Sequence, residues 1–312
     1  MKEIIYLEPE FKSMIWGGSK FSTEFGFDIP NDHTGECWAI SAHKNGDCTV
    51  KTGRYQGKKL SWLWDNHREL FDNMEGEVYP LLVKIIDAKD DLSIQVHPND
   101  TYAKKTESGA LGKTECWYVL DCDEAGEIII GHNAKDKQEL KEMIDSDRWD
   151  ELIRVRQIST GDFFQIEPGT VHAIKKGTLI LETQQNSDIT YRLYDYGRLD
   201  HGQPRELHIE KSIDVIRCPY TDIEPEGIEV QSSNYQLKVL VQCDYYTVEK
   251  LNLNGEAEFI QDQKFRNCTV INGQGSIDGH QLKKGDSFIL PADYGQYRLS
   301  GEMEIILSYP QT

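Results

Sequence analysis

Gly161-Asp162-Phe163-Phe164-Gln165-Ile166-Glu167-Pro168 and Gly285-Asp286-Ser287-Phe288-Ile289-Leu290-Pro291 are two versions of one pattern. Each runs from Gly-Asp through a short apolar strand to a closing proline. An internal repeat of this kind, in a chain of 312 residues, points to two similar β-rich domains. Four residues after the proline the first copy has His172 and the second has Gly295. One copy therefore keeps a potential ligand that the other lacks.

Outward from the first copy, short strand-like runs recur between Gly, Asn, Asp and Pro. They lie at 81–86, 92–97, 116–120, 127–130, 162–166, 179–184 and 190–194. Pro80 sets the start of the first, because proline does not sit inside a regular ladder. Runs this close and this rich in β-branched and aromatic residues predict a barrel or sandwich. Helices are few, at 61–71 and 135–153, and both read as solvated structural elements; in the second, Leu140, Met143 and Ile144 recur at helical spacing. From about Gln231 the strand theme returns, at 246–253, 257–260, 268–271, 287–290 and 304–307. Asn272-Gly273-Gln274-Gly275 and Ile277-Asp278-Gly279-His280 read as hairpin turns. Their glycines spell GxGxxxG, one residue too long for a dinucleotide fingerprint and followed by no helix pattern. The expected division is 1–230 and 231–312.

Lysine and arginine number 34 against 53 aspartates and glutamates, a net charge of −19. So acidic a chain argues against nucleic acid or an anionic membrane as partner, and requires a local cationic pocket for any anionic substrate. No signal-peptide pattern opens the chain, and no apolar run is long enough to span a bilayer. Seven cysteines without a CxxC pair read as reduced thiols of a cytoplasmic protein. Oligomeric state has no signature in the sequence.

Leu92-Ser93-Ile94-Gln95-Val96-His97-Pro98 carries the first chemistry. Alternation along a strand puts Ser93, Gln95 and His97 on one face and Ile94 and Val96 on the other. That polar face is either a lined interior site or a solvated surface. In Lys113-Thr114-Glu115-Cys116-Trp117, Glu115 enters an apolar run, an expensive place for an unpaired carboxylate. A metal explains it, and so does an ion pair with Lys113. His172, after the Pro168-Gly169 turn, has apolar neighbours on both sides, as either a hydrogen-bonded core histidine or a ligand. Taken together, Gln95, His97, Glu115 and His172 offer two imidazoles, a carboxylate and an amide oxygen. That set suits zinc, with manganese, iron or cobalt also compatible. In Asp188-Ile189-Thr190-Tyr191-Arg192-Leu193-Tyr194-Asp195, alternation lets Arg192 face the same cavity; the bland reading pairs it with Asp188 or Asp195 at the surface.

In this order and spacing, LSIQVHP, PGTVHA and TYRLYD, with Trp16-Gly17-Gly18 and Gly35-Glu36-Cys37-Trp38, resemble type I mannose-6-phosphate isomerase in its short bacterial form. The likeness covers most of residues 1–200. It implies a mainly β fold of two cupin (jelly-roll barrel) domains with a few peripheral helices, a catalytic one over 1–230 and a ligand-free one over 231–312. It implies one zinc ion per chain on Gln95, His97, Glu115 and His172, with Arg192 as the catalytic arginine. It suggests that Lys84, Ser93 and Lys113 hold the substrate, particularly its phosphate, and that Asp188 is a site carboxylate. The implied reaction interconverts mannose 6-phosphate and fructose 6-phosphate through an enediol. Asp188, Lys113 or a metal-bound water could serve as its base. Two departures stand out: no inserted helical domain is present, and Gly112 occupies a position where some members have a histidine. Competing readings are an iron-dependent cupin oxygenase, whose ligand sets are similar, and a non-catalytic sugar-binding cupin.

Overall fold

The computed structural model describes residues 3–222 and 228–311. Three antiparallel sheets dominate it. A six-stranded sheet runs in the order Phe163–Ile166, Glu115–Asp121, Thr178–Gln185, Leu81–Ala88, Glu10–Gly18, Thr34–Ile40. Against it lies a five-stranded sheet: Ile153–Gln157, Glu127–His132, His172–Ile174, Ile94–Val96, Tyr191–Tyr194. Buried apolar side chains of both, among them Ile86, Trp117, Ile128, Ile174 and Ile180, form one core cluster. The fold is mainly β with peripheral helices, as the cupin reading requires.

The strand readings before residue 200 match the observed ladders, and the regular strand does begin after Pro80, at Leu81. Strands Ile5–Glu8, Glu10–Gly18 and Thr34–Ile40 were not anticipated. The helix expected over 135–153 is shorter and broken. It runs over Lys137–Asp145, capped by the Asp136 carboxylate accepting from the Gln138 and Glu139 amides, both at 2.9 Å. Asp147 then takes a positive φ of 53°, one more turn covers Trp149–Leu152, and Ile153 starts a strand. The 61–71 reading resolves into Leu60–Asn66 and a 3-10 turn, Arg68–Phe71. Each helix is half covered rather than fully solvated: Leu140, Met143 and Ile144, and Leu60, Leu63 and Trp64, are buried.

The C-terminal sheet corrects the expectation more sharply. Segments 246–253 and 257–260 belong to one strand, Tyr246–Gln261, paired along its length with Gly295–Pro310. Asn272–Gly275 is no turn. It lies inside Phe265–Ile277, where the register with Gly295–Pro310 shifts between Val270 and Asn272. Gly273 has φ 75°, and a Cβ there would stand 2.2 Å from the Glu302 carbonyl oxygen. The glycines mark an irregularity and a close backbone approach, a role that mimics a turn signal in sequence. The second proposed turn is real: Ile277 pairs with His280 around Asp278-Gly279.

Strand Ile5–Glu8 crosses the expected boundary, pairing with Ser287–Pro291 on one side and Thr49–Val50 on the other. The two halves also share a core. Phe265 packs edge-on against Phe71 with ring centroids 5.3 Å apart and lies 5.1 Å from Tyr79, whose hydroxyl donates to Asn267 Oδ1 at 2.5 Å. All three rings are essentially inaccessible. Phe265→Ala is therefore expected to cost about 3–5 kcal/mol, read as a lowered urea midpoint. An unchanged midpoint would show that this junction contributes little to the fold.

Candidate active site

Strand register assembles the site. On the five-stranded sheet His172 and Arg192 both lie opposite Gln95, forming a row across three neighbouring strands. On the facing sheet Glu182 lies opposite both Lys84 and Trp117, and Gln184 lies opposite Glu115. Directly opposed residues of antiparallel strands share a face, so each row aims its side chains at the other. Ser93 and His97 flank the short strand Ile94–Val96, and Lys113 stands just before Glu115–Asp121.

The metal-ligand readings for His97, Glu115 and His172 converge. Their ligand atoms lie within 4.8 Å of one another, and they form the one group of three or more such residues among the described residues. Glu115 and His172 are both 0% exposed. The His97 Nδ1–H donates to the Ile189 carbonyl and the His172 Nδ1–H to the Thr170 carbonyl, each at 2.8 Å. Those bonds leave both Nε2 atoms with inward lone pairs, 3.2 Å apart. Two facing lone pairs repel unless a proton or cation lies between them. Burial, and then Lys113, push His97 down to about 4, while burial lowers His172, so protonation is disfavoured. Glu115 Oε1 is buried without a hydrogen-bond partner among the described residues. Burial opposes ionisation of Glu115, but the neighbouring Lys113 ammonium favours the carboxylate and holds it well below its usual range. This donor set fits a divalent cation. Gln95 stands beside it, its amide nitrogen 3.3 Å from His172 Nε2. A half-turn of the amide would present its oxygen instead.

The cavity in front of this group has a volume of about 460 Å³. Lys84, Ser93, Gln95, Lys113, Asp188 and Arg192 all line it, so the polar face of 92–98 lines a cavity rather than the outer surface. The ion pair of Lys113 with Glu115 also exists; Lys113 Nζ further lies 3.1 Å from His97 Nε2 and 3.3 Å from Glu182 Oε1. Arg192 forms no ion pair with Asp188 or Asp195, contrary to the surface reading. It donates from Nη1 to the Glu206 carbonyl at 2.8 Å, and its buried Nε has no partner among the described residues. Asp188 accepts from Asn45 Nδ2 at 2.5 Å and lies 3.5 Å from His43 Nε2.

Several lining residues escaped the sequence reading. Glu182 meets Lys84 at 3.1 Å and accepts from Trp117 Nε1 at 3.1 Å; Glu36 accepts from Trp38 Nε1 at 2.6 Å and lies 3.8 Å from Lys84. Glu182 carried the same signal as Glu115, a carboxylate inside an apolar strand. Arg205 and His208 also line the cavity, from an irregular segment with no such signal. Gly112 is explained directly. A Cβ there would stand 2.5 Å from backbone atoms of Asn99 and Asp100, so no histidine fits. The repeat's second copy, ending at Gly295 with φ 69°, brings no further ligand.

A β-rich double cupin with a buried His–Glu–His group, beside a cavity lined largely by charged and polar side chains, defines a metal-site cupin enzyme as the class. Comparison with known proteins narrows it. Residues 4–149 match the model of the phosphomannose isomerase type I catalytic domain, and residues 236–310 that of the mannose-6-phosphate isomerase cupin domain. Mannose-6-phosphate isomerase ManA of Bacillus subtilis is 49% identical over 98% of this chain and 99% of its own length. Mannose-6-phosphate isomerase of Streptococcus mutans is 46% identical over 99% of each. The crystal structure of mannose 6-phosphate isomerase from Bacillus subtilis superposes with a TM-score of 0.97, at 48% identity, over 99% of this chain and 100% of that one. The chain belongs to the type I phosphomannose isomerase family.

Proposed function

We propose that this chain interconverts mannose 6-phosphate and fructose 6-phosphate, using one zinc ion held by Gln95, His97, Glu115 and His172. The observation that carries the reading is the pair of tautomer-locked Nε2 atoms beside the orphaned Glu115 Oε1, opening on a cavity lined by Lys84, Ser93, Lys113, Asp188 and Arg192. A divalent ion held there would supply Lewis-acid polarisation of substrate oxygens.

The reaction moves one proton between C1 and C2 and consumes no oxidant. Its difficulty is the negative charge that grows on oxygen in the enediolate. Arg192 meets that charge as a cation that cannot be deprotonated and is already anchored to the Glu206 carbonyl. Lys84 is the other fixed charge: burial works against its ammonium, but Glu182, Glu36 and Glu115 raise it and keep it protonated. Lys113 and the Ser93 hydroxyl present further donors to substrate oxygens. Asp188 and Lys113 are the chain's own groups placed to carry the migrating proton.

No helix among the described residues is long and apolar enough to cross a membrane. All seven cysteines are free, which supports a reducing cytoplasmic setting. The net charge of −19 argues against nucleic acid as the main partner.

The test is a coupled assay for fructose 6-phosphate formed from mannose 6-phosphate, run before and after chelation and with zinc restored. Activity is expected to vanish with chelator and return with zinc. A folded, zinc-replete sample without turnover overturns the reading. Oxygen uptake with iron would then favour the oxygenase alternative, and a metal-free purified protein the binding-protein one.

A further inference from the structure

The two ends of the cavity differ in charge. Near the His–Glu–His group, Lys84 and Lys113 face three buried carboxylates, Glu36, Glu115 and Glu182, within 3.8 Å. Drawing either lysine onto a phosphate would strand buried carboxylates, a costly rearrangement. The segment that follows strand Tyr191–Tyr194 offers the opposite balance. Asp195 accepts from Arg205 through Nε at 2.7 Å and Nη2 at 2.5 Å, and from Arg198 Nη2 at 2.6 Å. One carboxylate thus serves two guanidinium groups. Arg198 also donates to the Asp91 carbonyl and does not line the cavity, whereas Arg205 does. The fork on Asp195 occupies the Nε–Nη2 edge of Arg205 and leaves the Nη1 edge outside it. The backbone holds this segment against the strand, with the His208 amide donating to the Arg192 carbonyl at 2.7 Å. Side-chain exposures of 15% for Arg205 and 5% for Asp195 indicate a built arrangement, not a surface pair. Beside it stands Arg192, whose Nε has no partner among the described residues.

We propose that Arg205, oriented by Asp195, receives the phosphate of the substrate, with Arg192 at its side; this rests on the phosphosugar reading above. Lys84, Lys113 and Ser93 then serve the sugar oxygens, and the phosphate contact belongs to the arginine end. Arg205 is a substrate-binding residue and Asp195 a positioning residue acting through it.

Steady-state kinetics of Arg205→Ala test this, together with inorganic phosphate as a competitive inhibitor. Loss of a charge-assisted contact is expected to raise KM for mannose 6-phosphate and the phosphate inhibition constant about thirtyfold each. The fall in kcat should be much smaller. Arg205→Lys should recover part of the loss and also control for folding, and Asp195→Asn should raise KM with Arg205 still present. Unchanged KM and unchanged phosphate inhibition in Arg205→Ala would overturn the assignment. If the wild type fails to isomerise, the functional reading fails separately. Calorimetric titration of inorganic phosphate into wild type and Arg205→Ala still decides the anion site, since equal affinities would refute it.

Discussion

His172→Ala is expected to lose metal and turnover together. His172 is fully buried, its Nδ1–H is committed to the Thr170 carbonyl, and its Nε2 points at Glu115 and His97. Alanine removes a donor that no neighbour can replace, and the gap is walled by Trp117, whose ring centroid lies 5.4 Å away. Metal affinity should fall by more than about a hundredfold, the upper range for losing a mere supporting partner of a ligand. Metal analysis after dialysis and the coupled assay measure both losses, and thermal melting of chelated wild type and variant separates metal loss from unfolding. A variant that retains zinc and full activity would remove His172 from the ligand set.

Arg192→Ala should separate binding of the metal from catalysis. Arg192 lies opposite Gln95 on the neighbouring strand, and its protonated guanidinium has no lone pair to offer the ion. Metal content should therefore stay near one per chain. Removal of a preorganised charge from the place where an oxyanion develops should lower kcat by about 10² to 10³. Arg192 Nη1 also ties down the Glu206 carbonyl, one residue from Arg205, so some rise in KM accompanies the change. Normal turnover in this variant would show that the enediolate charge is met elsewhere. Arg192→Lys is informative beside it, because a point charge restores the electrostatics but not the two-sided geometry of the guanidinium.

Legibility in the sequence followed the physics of each element. Alternation of polar and apolar side chains along a strand is legible locally, so Ser93, Gln95 and His97 could be placed on a common face before any fold was known. Glu115 was conspicuous because an apolar run is a costly environment for a carboxylate, and Glu182 could have been found in the same way. Asn272–Gly275 misled because glycine serves a turn and a close backbone contact equally well, and only the position of Glu302 distinguishes them. The helix over 137–145 was visible from its apolar spacing, whereas its end depended on the left-handed residue Asp147, which periodicity does not register.

The amino-acid sequence by itself determined the mainly β class, the repeated unit with a ligand in one copy only, and the types of donor available for a metal. These are local properties, set by which side chains alternate and by what a polar group costs among apolar neighbours. The tertiary structure alone decided which donors meet. Strand register set His172 and Arg192 beside Gln95, and sheet packing brought Glu115 onto His97 and His172. It also paired Lys84 and Lys113 with Glu182, bridged the two halves through Ile5–Glu8, and carried Arg205 from an irregular segment to the cavity wall. Those are contacts between residues far apart in the chain. Their geometry follows from the global packing of the sheets, which no local pattern encodes.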